Sequence, residues 1–354
     1  MLLCNYDRSA AADPGGSMKV DLQLNGRPDG AVSQAAELVA CGADGLFTFE
    51  SPHDVFLPLT LAATSAEPVD LMTNVAIALP RSPVHLAHAA YDLQLLSRGR
   101  FRLGLGSQTR AHIGKRYGAT WSRPAARMRE MVLAVKAVLD SWQNGTPLRF
   151  EGEFTRHTLM PPTFDPGPNP YGVPQICLGA LGPIMTRTAA EVADGLLVMP
   201  FNSARHFAER TLPAIEEGLA RGGRDAADLS IYPQVIVAMG RTSSELEAAA
   251  VGVRRLLAFY GSTPAYRPVL DVEGWGELQP ELNALSKRGQ VTAMTELIDH
   301  RMLQTLAVYG TPEECAAEIV ARFGAVADRI CCYFPGYAVA AAHIRDLVAE
   351  LQVA

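Results

Sequence analysis

The sequence predicts an α/β protein built as a (β/α)8 TIM barrel, and two observations carry this prediction. Short apolar strands alternate with amphipathic helices eight times, which is typical of a parallel sheet buried on both faces. Eight such units close a barrel of about 250 residues, and a chain of 354 residues leaves room for insertions. An open, doubly wound sheet is the rival fold, but no dinucleotide-binding glycine motif follows the first strand.

The first half of the chain supplies four strand and helix units. The helix at 29–42 has Asp29 as its expected N-cap and Gly42 as its stop, and the helix at 82–98 opens with Ser82 as cap. The expected strands are 19–25, 44–50, 70–79 and 100–106, and the expected helices between them are 29–42, 56–66 and 82–98.

A first insertion, at about 109–172, follows the fourth strand and contains an amphipathic helix at 122–145 and a hairpin piece at 149–157. A second insertion, at about 262–308, follows the seventh strand. Pro213 predicts a break inside one helix, and Ser243 or Ser244 is expected to cap another. The remaining strands are expected at 174–180, 195–201, 229–240 and 329–336, and the remaining helices at 182–194, 203–223, 242–261, 311–326 and 343–352.

Composition and charge exclude several classes of protein. The chain is 48% hydrophobic and 19% charged, as expected of a cytoplasmic globular enzyme, and its net charge of −6 makes nucleic acid an unexpected partner. No apolar run reaches the length of a membrane span. Residues 1–17 lack a signal-peptide pattern and are expected to form a flexible extension before one barrel domain at 18–354.

The cysteines predict neither zinc nor disulfides. There are six of them and no CxxC pair, so we expect reduced, buried thiols (Cys4, Cys41, Cys177, Cys315, Cys331 and Cys332). Cys331 and Cys332 lie on one strand, so their side chains are expected on opposite faces. No metal site is predicted.

Small and polar residues end the fourth strand, in the run GRFRLGLGSQTRAHIGKRYG at 99–118. Gly104 and Gly106 share one face of that strand because side chains alternate with period two. The pattern is not a dinucleotide fingerprint, since Thr109 stands where the third glycine would be. In a barrel, the active site lies at the carboxyl ends of the strands. These residues are therefore candidate site residues.

The run GALGP at 179–183 is the best candidate for an anion site, because it joins a strand to the start of a helix. Backbone N–H groups at such a turn point outward, and the helix dipole favours negative charge. A tight turn without any ligand is the alternative interpretation.

Four runs together resemble the luciferase-like monooxygenase superfamily, and within it the branch that uses coenzyme F420, a deazaflavin. They are SRGRFRLGLGSQTRAHIGKRYG (97–118), RPAARMRE (123–130), FEGEF (150–154) and the segment from CLGALGP to AAEVADGLLV (177–198). The resemblance extends over about 18–354 in unbroken order. It implies a (β/α)8 barrel whose cofactor ring lies over the strand ends.

The resemblance also implies roles for individual residues. Asn74-Val75 matches the family position of a non-proline cis peptide bond that bulges against the cofactor ring. The phosphate of the cofactor would lie at the N–H groups of the GALGP loop. The expected cofactor-binding residues are Asn74, Val75, Gly106, Ser107, Gln108, Thr109, His112, Gly179, Ala180, Leu181 and Gly182.

The catalytic position departs from the family pattern. Many deazaflavin members have an adjacent Asp-His pair after the second strand, whereas this chain has Glu50 and, two residues further than expected, His53. Both are candidate catalytic residues, with Glu50 as the proton donor or acceptor that accompanies hydride transfer. A structural carboxylate is the alternative reading of Glu50.

Three functions remain open at this point. The first is an F420-dependent oxidoreductase that transfers hydride to or from a small, apolar organic substrate. The second is an FMN-dependent monooxygenase on the same barrel, and the third is a cofactor-binding barrel without turnover. The family commonly pairs barrels through the second and third helices, so a homodimer is expected.

Overall fold

A computed structural model describes residues 18–64 and 67–354, so the predicted extension at 1–17 and Cys4 lie outside the described residues. The structure confirms the predicted closed barrel of eight parallel strands, ordered β1-β2-β3-β5-β8-β9-β10-β12 and back to β1. The strands are β1 Lys19–Gln23, β2 Gly45–Thr48, β3 Asp70–Thr73, β4 Ala76–Ile77, β5 Phe101–Gly106, β6 Phe150–Glu151, β7 Arg156–His157, β8 Gln175–Ala180, β9 Gly195–Val198, β10 Ser230–Met239, β11 Val308–Gly310 and β12 Arg329–Tyr333.

Helices surround the barrel and build the two insertions. They are α1 Ala31–Ala40, α2 Leu57–Ala63, α3 Pro83–Leu96, α4 Pro124–Asn144, α5 Pro183–Val192, α6 Ala204–His206, α7 Leu212–Gly222, α8 Ser243–Gly261, α9 Arg267–Val272, α10 Leu278–Lys287, α11 Val291–Glu296, α12 His300–Leu306, α13 Pro312–Phe323 and α14 Ala341–Val353. No helix in the described part of the chain combines the length and apolarity needed to cross a membrane.

Several local predictions hold and others are wrong. Gly42 has φ +95° and ends α1 as predicted, whereas Asp29 lies in a 3-10 turn and Gly30 takes the N-cap position. The predicted break near Pro213 is a π-helical turn, Phe207–Thr211, just before α7. The cap of α8 is Thr242, one residue before the predicted serine, because its side chain and that of Glu245 satisfy each other's backbone N–H groups.

The barrel interior is filled by a small apolar cluster, to which Phe47, Met72, Cys177, Leu197, Tyr232 and Cys331 contribute. Cys332 belongs instead to the layer between strands and helices, so the two neighbouring cysteines point to opposite faces as predicted. The five cysteines of the described residues are free and buried.

The amino-terminal end of the barrel is closed by buried ion pairs. Arg329 of β12 contacts Asp21 of β1 and Asp70 of β3, with an Nη1–Oδ2 distance of 2.8 Å to Asp70. Burial lowers the pKa of the Arg329 guanidinium, but the two carboxylates outweigh burial and hold that pKa above its usual value. Arg102 of β5 extends the network to Asp70. This end of the barrel is therefore structural, and the opposite end is free for function.

The first insertion is held by a buried carboxylate. Glu130 of α4 accepts the backbone N–H groups of Glu153, Phe154 and Thr155 at 2.6 to 2.7 Å, in the loop that joins β6 to β7. A side chain at Gly152 would collide with that carboxylate. The motifs RPAARMRE and FEGEF therefore meet at one structural contact.

Candidate active site

The carboxyl ends of β2, β3, β5 and β8 bring several predicted site residues into one patch. The N–H of Glu50 donates to the carbonyl of Val75 at 3.2 Å, and the N–H of Asn74 donates to the carbonyl of Thr48 at 2.6 Å. Gly106 and Gly179 lie against the side chain of Val75. Residues from the second, third, fourth and fifth barrel strands therefore share one surface.

The bulge at Asn74–Val75, after β3, explains why glycines are required at the ends of the neighbouring strands. The Asn74–Val75 peptide bond is cis, as predicted. A Cβ at Gly106 would overlap the Val75 side chain, and one at Gly179 would lie 3.0 Å from Val75 Cγ1. Gly104 instead makes room for the Thr73 backbone carbonyl. The glycines thus make room for protein atoms, and Gly106 and Gly179 allow the Val75 side chain to take its place.

The side chain of Asn74 carries an unpaired hydrogen-bond donor. The residue is 6% exposed, and its Nδ2 has no partner among the described residues. A buried amide without a partner costs about 1 to 3 kcal/mol, so such a group in a native protein calls for an explanation. An acceptor on a bound cofactor would satisfy it, so this residue fits its predicted role.

Glu50 is enclosed and fully engaged by neighbouring groups. Its side chain is 7% exposed and forms an ion pair with Arg81 at 2.6 Å. The same oxygen, Oε2, accepts the N–H of Ile77, and Oε1 accepts the hydroxyl of Tyr117, each at 2.8 Å. Burial and the hydrogen bond to Glu50 raise the pKa of Tyr117. This arrangement holds the segment after the bulge, and the acid–base role of Glu50 stays a prediction.

His53 does not pair with Glu50 among the contacts of the described residues. Asp54 accepts the N–H groups of Phe56 and Leu57, and Thr48 donates its hydroxyl to the carbonyl of Val55 at 2.7 Å. These bonds fold the loop back toward β2 and leave His53 exposed at the surface. The catalytic role predicted for His53 is untested, but the structure does not bring it to the carboxylate.

The segment after β5 is only partly turned toward the barrel. Ser107, Gln108 and Thr109 are half-buried, and Gln108 has φ +58°. The side chain of Gln108 folds back, because its Oε1 accepts the N–H of Thr109 at 2.9 Å. His112 is exposed and begins a π-helical turn at His112–Arg116. Its predicted contact with the cofactor is also untested.

The GALGP loop has the backbone geometry expected of an anion site. Gly182 is the N-cap of α5 and Pro183 occupies its first turn. Within the described residues, the N–H groups of Leu181 and Gly182 have no hydrogen-bond acceptor. Ala180 is buried, and its carbonyl accepts the N–H of Met199. Two of the three predicted N–H donors are therefore free, and they lie where the helix dipole favours an anion.

Asn202, in the segment after β9, forms a polar pair with His206, a partner that sequence reasoning missed. Asn202 is 6% exposed, its Nδ2 has no partner among the described residues, and its Oδ1 lies 2.8 Å from Nδ1 of His206. Burial, followed by the charge of Arg210, lowers the pKa of His206 to about 4. Asn202 precedes Ser203, the N-cap of α6, so the pair depends on the turn before that helix and no helical spacing marks it.

An aromatic wall borders the site on the side of the second insertion. Phe201 is fully buried and packs against Tyr260 and Tyr266, with ring centroids 5.9 and 6.2 Å away. Phe49, just after β2, packs edge to face on Tyr333 at the end of β12, at 5.8 Å. Phe259, next to Tyr260, is 55% exposed and lies outside this wall. The described residues contain no cluster of acidic, histidine and cysteine side chains suited to a metal ion.

The comparison with protein families shows to which family the chain belongs. The sequence matches the profile of the luciferase-like monooxygenase family over residues 8–329. The chain belongs to this family. An uncharacterized protein of Mycobacterium tuberculosis is 46% identical over 88% of this chain and 92% of its own length. A putative coenzyme F420-dependent oxidoreductase of the same organism is 29% identical over 83% of this chain and 88% of its own.

Solved structures of luciferase-like proteins share the fold. A coenzyme F420 dependent tetrahydromethanopterin reductase from Methanopyrus kandleri superimposes with a TM-score of 0.77 at 21% identity, over 95% of this chain and 98% of the other. The oxygenating constituent of 3,6-diketocamphane monooxygenase from Pseudomonas putida, solved with FMN, gives a TM-score of 0.66 at 15% identity, over 95% and 98%. At these identities the likeness concerns the fold alone.

Proposed function

We propose that this luciferase-like protein is an F420-dependent oxidoreductase that moves a hydride between the deazaflavin and a small, apolar organic substrate. The observation that carries the proposal is the patch at the strand ends, where the unpaired Asn74 amide lies beside the Val75 bulge and faces the same end of the barrel as the GALGP loop. A relative named as a putative coenzyme F420-dependent oxidoreductase favours this cofactor over FMN.

Different residues of the patch would bind different parts of such a cofactor. Leu181 and Gly182 would offer free N–H groups to a phosphate at the start of α5, Asn74 would offer an amide donor to the ring, and Val75 would contact the ring. The deazaflavin, when bound, supplies the hydride or accepts it. Ion-paired Glu50 fixes Ile77 and, through it, the strand segment that carries the bulge.

The experiment that tests the proposal is a titration of the purified protein with F420 and, separately, with FMN, followed by quenching of tryptophan fluorescence or by calorimetry. We expect micromolar binding of F420 and much weaker binding of FMN. The second candidate function, an FMN-dependent monooxygenase, is favoured by the fold shared with an FMN-containing enzyme. A reversed preference would support it and overturn the F420 proposal.

A further inference from the structure

Three tyrosines meet above the carboxyl ends of the strands, and we call Tyr260, Tyr266 and Tyr333 the phenol cluster. Tyr260 comes from the last turn of α8, Tyr266 from the 3-10 turn Pro264–Tyr266, and Tyr333 from the end of β12. The rings of Tyr260 and Tyr266 are 6.1 Å apart and nearly perpendicular. The cluster is thus assembled from the barrel and the second insertion together.

The phenol cluster adjoins the candidate cofactor loop. Leu181 of the GALGP loop and Met199, after β9, pack against the same apolar group of residues as the three tyrosines. Ser203 donates its hydroxyl to Glu273 at the end of α9 and so fastens the insertion to the end of β9. The phenol cluster and the candidate cofactor loop therefore share one apolar core, and a hydrogen bond ties the insertion to the segment after β9.

The hydroxyls of the phenol cluster lack hydrogen-bond partners within the described residues. Four other tyrosines differ in this respect. The hydroxyls of Tyr91, Tyr117, Tyr232 and Tyr337 bond to Gln143, Glu50, Gln175 and the Val237 carbonyl, at 2.8 to 3.3 Å. The three tyrosines are half-buried, and their hydroxyls are not among the buried polar atoms that lack a partner, so these hydroxyls are open to solvent. Three neighbouring donors that bond to no described residue are therefore available to a ligand.

The electrostatics of the cluster point to an uncharged ligand. Burial raises the pKa of Tyr333 to about 12 and raises that of Tyr266. Burial, and then the neighbouring phenols Tyr333 and Tyr266, raise the pKa of Tyr260. No charged side chain in the described part of the chain shifts any of these three values. The phenols are therefore neutral donors, without the cation that a phosphate or carboxylate would require.

We propose that the phenol cluster is the substrate-recognition site of this protein and binds a planar, uncharged substrate through a carbonyl-type oxygen. The proposal rests on the oxidoreductase function proposed above, since a ketone, an enone or a related group is what hydride transfer would act on. The aromatic faces of Phe49 and Phe201 border the cluster and suit a flat, apolar molecule. Hydrogen bonds from the phenols hold its oxygen.

A direct test uses three ligands of one shape. Acetylnaphthalene carries a neutral carbonyl acceptor, ethylnaphthalene carries none, and naphthoate carries a charge. Their binding to the full chain, with and without F420, is measured by ligand-observed NMR titration. We expect acetylnaphthalene to bind about tenfold more tightly than ethylnaphthalene, as two or more neutral hydrogen bonds allow, and naphthoate to bind most weakly.

Substitution of the three tyrosines tests whether their hydroxyls cause the preference for acetylnaphthalene. The triple variant Y260F/Y266F/Y333F keeps all three rings, so we expect it to retain the fold and the affinity for F420 but to lose the preference for acetylnaphthalene. Tyr171→Phe, at an exposed position, is the matched control and should leave the preference intact. Equal binding of the three ligands, no binding of any, or a preference that persists in the triple variant overturns the proposal.

Titration of the same preparations with F420 distinguishes failure of the proposed recognition site from failure of the proposed F420-dependent function. A wild-type protein that does not bind F420 refutes the proposed cofactor, while the ligand preference still decides the role of the phenol cluster. A protein that binds F420 but shows no preference refutes the recognition site alone.

Discussion

The carboxylate of Glu50 and the guanidinium of Arg81 form an enclosed ion pair of 2.6 Å, with side chains 7% and 22% exposed. The pair joins the end of β2 to the start of the helix after the bulge, because Arg81 also donates to the carbonyl of Ile77 at 2.7 Å. A carboxylate bound in this way holds the backbone of Ile77 in place. Its position at the barrel mouth leaves both a structural and an acid–base role open to experiment.

Glu50→Gln separates these two roles. The change removes the charge opposite Arg81, and we expect it to lower the free energy of unfolding by about 2 kcal/mol, measured by urea denaturation. If Glu50 also transfers the proton, kcat with a good substrate should fall by about a hundredfold or more. Tyr117→Phe, which removes a hydrogen bond to the same carboxylate, serves as control. Retained turnover in the Gln variant would contradict the predicted acid–base role.

Gly106→Ala tests the space that the bulge requires. Its Cβ would overlap the Val75 side chain, so we expect a loss of about 1 to 3 kcal/mol in the free energy of unfolding, from overpacking. The double variant G106A/V75A should recover most of that loss, because it removes the opposing methyl groups. Gly114→Ala meets open space and should give no comparable loss. An additive double variant would show that Val75 is not the obstacle.

Asn74→Leu tests the unpaired amide. Leucine has a similar branched shape but no donor, and Nδ2 of Asn74 has no partner to lose among the described residues. We therefore expect an unchanged or higher melting temperature together with F420 binding weakened by about tenfold. Full F420 affinity in a folded variant would remove Asn74 from the cofactor site.

Exposed leucines on the second and third helices test the predicted homodimer. Leu57 of α2 is 53% exposed, and Leu95 and Leu96 of α3 are 48% and 44% exposed. We expect the wild-type chain to have the mass of a dimer by light scattering after size exclusion. L57E/L96E should yield a monomer, because two buried charges would oppose association, whereas Val353→Glu at the chain end should not. A monomeric wild type would refute the prediction.

Local patterns predicted the barrel but not the partners of its functional side chains. Period two placed Cys331 and Cys332 on opposite faces, and the run of strand and helix units gave the topology. The Glu50–Arg81 pair spans 31 residues, and nothing in the sequence between them marks it. The sequence also does not show that Asp54 accepts the N–H groups of Phe56 and Leu57, in the loop that leaves His53 exposed. Contacts between residues distant in the sequence depend on how the strands and helices pack together, which local patterns do not show.

We expect His206 to make the folded protein less stable as the pH falls. Burial lowers the pKa of this imidazole from 6.5 to about 4, so the folded state binds its proton less readily than the unfolded state. Above pH 6.5 both states are neutral at this site. As the pH falls from about 6.5 to 4, only the unfolded histidine takes up a proton, and about 3 kcal/mol of stability is lost. Below about 4 both states are protonated and the loss is complete.

The measurement is a series of urea denaturation curves between neutral and acidic pH, for the wild type and for His206→Gln. Glutamine has no titrating ring and can still bond to Asn202, so the variant should lose stability less steeply over this interval. His85→Gln replaces a histidine exposed on α3 and should retain the wild-type slope. A wild-type slope in the His206 variant would mean that other groups cause the acid sensitivity, and that the imidazole beside Asn202 is free to take up a proton in the folded chain.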